Sequence, residues 1–380
     1  MFSKAGKGIS KFVKNTDWFL FLSCVAATVY GIILIYSTTA SNANAERRDY
    51  MIQIIAAIIG VVVALIVSVI DYEFILRLWP VWAAVSLILV GLTFTPLGMT
   101  VGDDKAWIGL GPVTLQPSEL LKIAFILSFT FHLTKVREKV NEIPTLLLLC
   151  LHGLLPVALI FLQGDDGTAL VFAFIFLSMM FVAGLRPVYF IIAFTLIAAA
   201  VPIFFSQLDE AKKGRFLSLF FVDDYIKTAG WQQWQALLAL GSGQLWGLGF
   251  TEGGKSGGFF ARNNDFIFTV AGEEFGFVGA VALIGVLLLI IVAILRNIFK
   301  AKNFKGMLIC AGVLAMIASQ SMINIGMNLR VLPVIGITLP FFSRGGTSVA
   351  TLFLSIGLVM SVHFSSKTRV EHTLFSEKEY

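Results

Sequence analysis

The chain is poor in charge, cysteine and histidine. Only 13% of its 380 residues are charged, while 57% are hydrophobic and the mean hydropathy is +0.88. That composition excludes an ordinary soluble domain and requires a polytopic membrane protein. The three cysteines, Cys24, Cys150 and Cys310, lie far apart inside apolar runs with no Cys-x-x-Cys, so neither a disulfide framework nor a cysteine redox motif is expected. The four histidines, His132, His152, His363 and His372, have neither the i, i+4 pairing nor the Cys/His spacing of a zinc site. No basic patch is interleaved with aromatics, so the net charge of +5 does not point to nucleic acid; it fits short loops held on the cytoplasmic side. Low-complexity stretches, internal repeats and an inserted soluble domain are also missing from the pattern.

What is present is a series of apolar runs of spanning length, ten in all, at 17–37, 50–70, 76–96, 117–134, 144–162, 168–184, 187–205, 265–295, 305–327 and 346–364. The sequence therefore predicts an all-α integral membrane protein of ten transmembrane helices, one polytopic domain over 1–380, with a long extracytoplasmic loop at 206–264 between the seventh and eighth. Lys4, Lys7, Lys11 and Lys14 precede an apolar run too long for a signal-peptide core, which reads as a retained first span. An even span number puts both termini on one side. With that side cytoplasmic, Arg77, Lys135, Arg137, Lys139, Arg186, Arg296, Lys300, Lys302 and Lys305 all fall in short inner loops, as the positive-inside rule asks of a bacterial cytoplasmic-membrane protein.

The outer side receives four polar segments: Thr100 to Glu119, Gln163 to Thr168, Ser206 to Asn264, and Asn328 to Gly346. Together they predict one outward-facing site. Within the long loop, the helical spacing of Trp231, Trp234, Leu237, Leu238 and Leu245 predicts an amphipathic helix over Trp231 to Leu248, lying at the outer interface.

Three carboxylates mark the stretch Asn263 to Gly276. Asp265 precedes a helical pattern that continues to Leu295, longer than a bilayer needs, so its first two turns are expected to stand proud of the lipid with Glu273 and Glu274 near the boundary. Asp265 there is either an N-cap or an acid facing a substrate. Glu119 and Lys122 share a helical face at the start of the fourth span, as a compensated pair or as part of a site. Asp165 and Asp166, beside glycine turns, either cap the sixth span or offer oxygen ligands to a hard divalent cation such as Mg or Mn. Arg262, Arg330 and Arg344, with Lys122, put cations on the same face, suited to neutralising those acids or to gripping a diphosphate.

Several motifs occur together and in order: Trp107-Ile-Gly-Leu-Gly111, Gln116-Pro-Ser-Glu119 with Lys122, Asp265-Phe-Ile-Phe268, Gly272-Glu-Glu-Phe-Gly276, Asn324-Ile-Gly326, and Leu339-Pro-Phe-Phe-Ser343 before Gly345-Gly346. In these the chain resembles the SEDS family of peptidoglycan polymerases, the RodA, FtsW and SpoVE type. The resemblance implies ten transmembrane helices and polymerisation of lipid II into β-1,4 glycan strands on the outer face, with undecaprenyl diphosphate released, for elongation or division. It maps the family's essential aspartate onto Asp265, as the catalytic residue, and its glutamate and following lysine onto Glu119 and Lys122; with these, Trp107, Gln116, Arg262, Arg330, Ser343 and Arg344 make up the substrate-binding candidates. It also implies a class B penicillin-binding protein, a transpeptidase, as partner. The chain departs from the family at Ala106, Gly164, Asp166, Phe260, Ala261, Asn263, Asn264 and Arg344. A lipid II flippase is the rival from another class, since spans around a polar cavity would serve a transporter equally.

Overall fold

A computed structural model describes residues 12–40, 48–101, 104–111, 113–253 and 262–376. In chain order its helices are α1 (Trp18–Ala40), α2 (Arg48–Val69), α3 (Tyr72–Arg77), α4 (Trp79–Thr93), α5 (Pro117–Lys135), α6 (Ile143–Phe161), α7 (Asp166–Val182), α8 (Pro187–Gln207), α9 (Glu210–Leu217), α10 (Val222–Tyr225), α11 (Trp231–Ser242), α12 (Ile267–Lys300), α13 (Phe304–Asn328) and α14 (Gly346–Ser376). Each predicted apolar run falls on one of them. Among the described residues, seven helices are long and apolar enough to cross a bilayer: α1, α2, α6, α8, α12, α13 and α14. The other three runs lie on α4 and α7, which are shorter, and on α5, which carries Glu119, Lys122 and Lys135.

Small residues let the helices meet closely, as packing without a hydrophobic driving force requires. A Cβ at Gly357 of α14 would lie 3.0 Å from the Cα of Ala64 in α2, and one at Gly31 of α1 would lie 2.6 Å from the backbone of Phe342. The core runs through α12, α13 and α14, where long stretches such as Leu308 to Val313 and Ile356 to Val362 are almost wholly buried. By contrast, α8 buries none of its residues.

Two features differ from the sequence expectation. The first is a small antiparallel sheet, β1 (Gly98–Val101), β2 (Asp104–Leu110) and β3 (Val113–Leu115), in a protein expected to be all-α. Its outer strands have only four and three residues, and the seven of β2 do not alternate apolar with polar, so no strand period shows in the sequence. Gly111, at φ 66°, makes the turn, and Ile108 pairs with Leu115. Ala106 and Ile108 point into the core while Trp107, one residue out of phase, faces the other way.

The second is the break of α12 at Gly276, with φ 67° and ψ −163°. The residues before it are packed inside the protein: Ile267 to Glu274 are all buried. The turn that follows α11 docks on the break, where Leu248 N–H donates to the Glu273 carbonyl (2.9 Å), Gly249 N–H to that of Glu274 (3.1 Å) and Phe277 N–H to that of Gln244 (2.8 Å). Backbone groups freed by the kink are thereby satisfied. The predicted interfacial helix accordingly ends at Ser242, and α11 leans on α13, with Gln233 Nε2 donating to the carbonyls of Met327 (2.9 Å) and Leu332 (2.7 Å).

Candidate active site

The site is built outward from the backbone of Asp265. Helix α12 begins at Ile267 with Phe266 as its cap residue and no side-chain cap, so Asp265 does not spend its carboxylate on the helix end. Its carbonyl instead accepts from Asn324 Nδ2 (2.8 Å) and Asn328 Nδ2 (2.9 Å), which lie one turn apart on α13. Asn328 Oδ1 in turn accepts from Thr269 Oγ1 (2.6 Å), and Asn324 Nδ2 also donates to the Ile337 carbonyl (2.6 Å). Each amide is thus fully engaged and fixes the loop before α12.

The Asp265 carboxylate lines a cavity of about 390 Å³. Burial, and then the charge of nearby Asp165, push it up to about 6. An acid poised near neutrality in a cleft is the usual mark of a functional site.

Gln116, Glu119, Asp165 and Arg344 line the same cavity, with Trp107 and Thr114 contributed by the sheet. Asp165 Oδ1 caps α7 by accepting from Thr168 N–H (2.9 Å), and its Oδ2 accepts from Gln116 Nε2 (3.1 Å). Burial raises the Asp165 carboxyl above its ordinary range despite these bonds. Glu119 is held from behind: Lys122, with no exposed surface, donates to Oε1 (2.9 Å), and Thr351 Oγ1 donates to Oε2 (3.3 Å). A lysine sealed in this way is tolerated because its charge is paired. Arg344, 42% exposed at the side chain, pairs with Asp49 (2.8 Å). Gln53 braces this corner, donating from Nε2 to the Ser343 carbonyl (3.1 Å) and accepting from Gly345 N–H (3.0 Å).

Other predicted residues lie elsewhere. Lys122 does not reach the cavity surface. Arg262 pairs with Glu273, and Arg330, at φ 58°, donates to the Ser218 carbonyl at the end of α9. Ser343 accepts from Leu339 N–H (2.7 Å) and donates to the Asn264 carbonyl (2.6 Å), tying two loops together. Asp166 turns away from Asp165 to pair with Lys212 (2.6 Å), so the two adjacent carboxylates do not fit one shared divalent cation. Among the described residues no three His, Cys, Asp or Glu side chains are grouped as metal ligands. Asp49, Gln53 and Asn328 were missed by sequence reasoning. Their signal was available in part: Gln53 stands in an apolar run, and Asn324 and Asn328 share a face of another.

A family model described as cell cycle protein, covering FtsW, RodA and SpoVE, matches residues 17–368. The chain belongs to this family. Among its relatives, the peptidoglycan glycosyltransferase RodA of Treponema pallidum is 31% identical over 94% of this chain and 98% of that protein. A probable peptidoglycan glycosyltransferase FtsW of Trichlorobacter lovleyi is 30% identical over 91% and 92% of the two chains. Among solved structures, a chain of a peptidoglycan synthase complex that coordinates polymerization and crosslinking superimposes with TM-score 0.80 at 27% identity, covering 92% of this chain and 98% of that one. The FtsW, RodA and SpoVE fold thus extends over nearly the whole chain.

Proposed function

We propose that this membrane protein is a peptidoglycan glycosyltransferase that polymerises lipid II into β-1,4 glycan strands. The observation that carries the proposal is Asp265: a carboxylate raised towards neutrality, with its backbone clamped by two asparagines and its side chain open to a polar cavity. Family membership and the names of the relatives agree with it.

In this reading the ionised Asp265 accepts the proton of the acceptor sugar's 4-hydroxyl while that oxygen attacks the donor's anomeric carbon. The new carbon–oxygen bond forms as the bond to the diphosphate breaks, with inversion from α to β, and undecaprenyl diphosphate leaves. Arg344 is the predicted cation placed to meet the diphosphate, with Asp49 holding it in the free protein. Lys122 acts through Glu119, fixing that carboxylate at the cavity wall. The proposed chemistry runs without a step through Mg or Mn.

The reading includes ten spans, α4, α5 and α7 crossing with the seven longer helices, both termini cytoplasmic and the Asp265 cavity outside. It also includes a class B penicillin-binding protein as partner. The solved synthase complex supports that partner, because it coordinates polymerization with crosslinking.

The test is purified protein with lipid II, alone and with a co-expressed transpeptidase, run on a gel that resolves glycan polymers. A ladder from wild type that is missing with Asp265→Asn is expected. Translocation of lipid II across liposomes with no polymer formed would overturn the reading in favour of a flippase.

A further inference from the structure

At the end of the bundle opposite Asp265 lies a second cavity, of about 240 Å³, between the start of α1, the end of α12 and the stretch of α14 that carries His363 and Lys367. Arg296, Lys300 and Lys367 line it, all exposed, against one carboxylate, Asp17. That carboxylate is already engaged: Oδ1 accepts from Leu20 N–H (3.2 Å) and Oδ2 from Asn297 Nδ2 (2.7 Å). Asn297 Nδ2 also donates to the Ala293 carbonyl (3.0 Å), which fixes the orientation of the amide and leaves its Oδ1 to accept from His363 Nδ1 (2.7 Å). The other ring nitrogen, Nε2, is then left over. His363 is only 9% exposed, and Nε2 is buried with no hydrogen-bond partner. With Nδ1 donating, Nε2 of the neutral ring is an acceptor and does not draw an anion, so the pull on an anion comes from Arg296, Lys300 and Lys367, three cations gathered in one cavity against a single carboxylate that is already engaged.

We propose that this cavity binds the phosphate of an anionic membrane lipid. The location selects a lipid over a soluble phosphate. From the break at Gly276 to Arg296, α12 rises about 30 Å, one hydrocarbon thickness, which sets the cavity at headgroup depth on the far side of the membrane. Trp18 and Phe19 complete the lining with the aromatic character of that boundary. Arginine and lysine gathered between spanning helices are suited to phosphate headgroups. The site is independent of the glycosyltransferase reading and needs only that the bundle span a membrane.

The experiment measures lipid retention by native mass spectrometry on the full-length protein in neutral detergent, with phosphatidylglycerol, phosphatidylethanolamine and inorganic phosphate as separate additions. The exposed triple variant Arg296→Gln, Lys300→Gln, Lys367→Gln is compared with Lys139→Gln, Arg186→Gln, Lys302→Gln, which removes as many charges from the same end. The expected result is that wild type and the second triple variant bind phosphatidylglycerol alike, with the first weaker by about tenfold or more. Equal weakening of both variants would mean diffuse attraction and would overturn the site. Equal retention of phosphatidylethanolamine would overturn it as well. If inorganic phosphate at millimolar concentration displaced bound phosphatidylglycerol, the lipid assignment would give way to a soluble phosphate ligand.

Discussion

Asn328 Nδ2 donates to the carbonyl of Asp265 at 2.9 Å, so the residue proposed as the base is positioned by α13 and not by the helix it precedes. Replacing Asn328 by Ala removes this bond and retains the Asp265 carboxylate itself, while freeing the backbone that aims it. The expected outcome is a fall in kcat for lipid II polymerisation of about ten- to a hundredfold with a smaller change in KM, because misplacement of a base by about 1 Å costs on that order. A single-turnover assay that finds unchanged chemistry would remove the positioning role.

The burial that raises Asp265 to about 6 gives a pH dependence with a definite sign. A base works ionised, so kcat/KM should fall as pH drops through about 6 and level off above it. The charge of Asp165 adds to the shift, so Asp165→Asn should move the inflection to lower pH. Asp265→Asn should lose at least about a hundredfold at every pH. The check is a pH–rate profile of all three proteins, and an inflection in the Asp165→Asn variant at or above that of wild type would contradict the assignment.

Glu119 and Lys122 form a buried pair, and breaking one side should be worse than removing both. Lys122→Met strands a buried carboxylate, at a cost of about 3 to 5 kcal/mol. Adding Glu119→Gln should recover much of the thermal stability while activity stays low. A thermal melt in detergent over the double-mutant cycle reads the coupling, and strictly additive losses would mean that the two side chains act separately.

Gly276→Ala tests the break in α12. The φ of 67° alone costs an alanine about 1 to 3 kcal/mol, and its Cβ would meet the Leu245 carbonyl oxygen at 2.5 Å. The variant should melt well below wild type. Gly285, also in α12 but with open space around it, supplies the control: Gly285→Ala should leave the midpoint unchanged or higher.

The sequence by itself determined the membrane class, the places of the apolar helices and the family, because hydropathy and motif order are properties of the chain read locally. It also singled out Asp265, Glu119, Gln116, Trp107 and Arg344, which the fold gathers around one cavity from segments far apart in sequence. Only the tertiary structure decided how the charges pair. Lys122, Arg262 and Arg330 looked alike as phosphate cations, yet each is turned to a different partner, and partner choice depends on which helices pack together. The same holds for the break at Gly276. Its glycine was visible, but the docked turn that satisfies the opened backbone comes from residues about thirty positions earlier. Local periodicity carries no information about contacts of that kind, since they are set by the close approach of backbones across the fold.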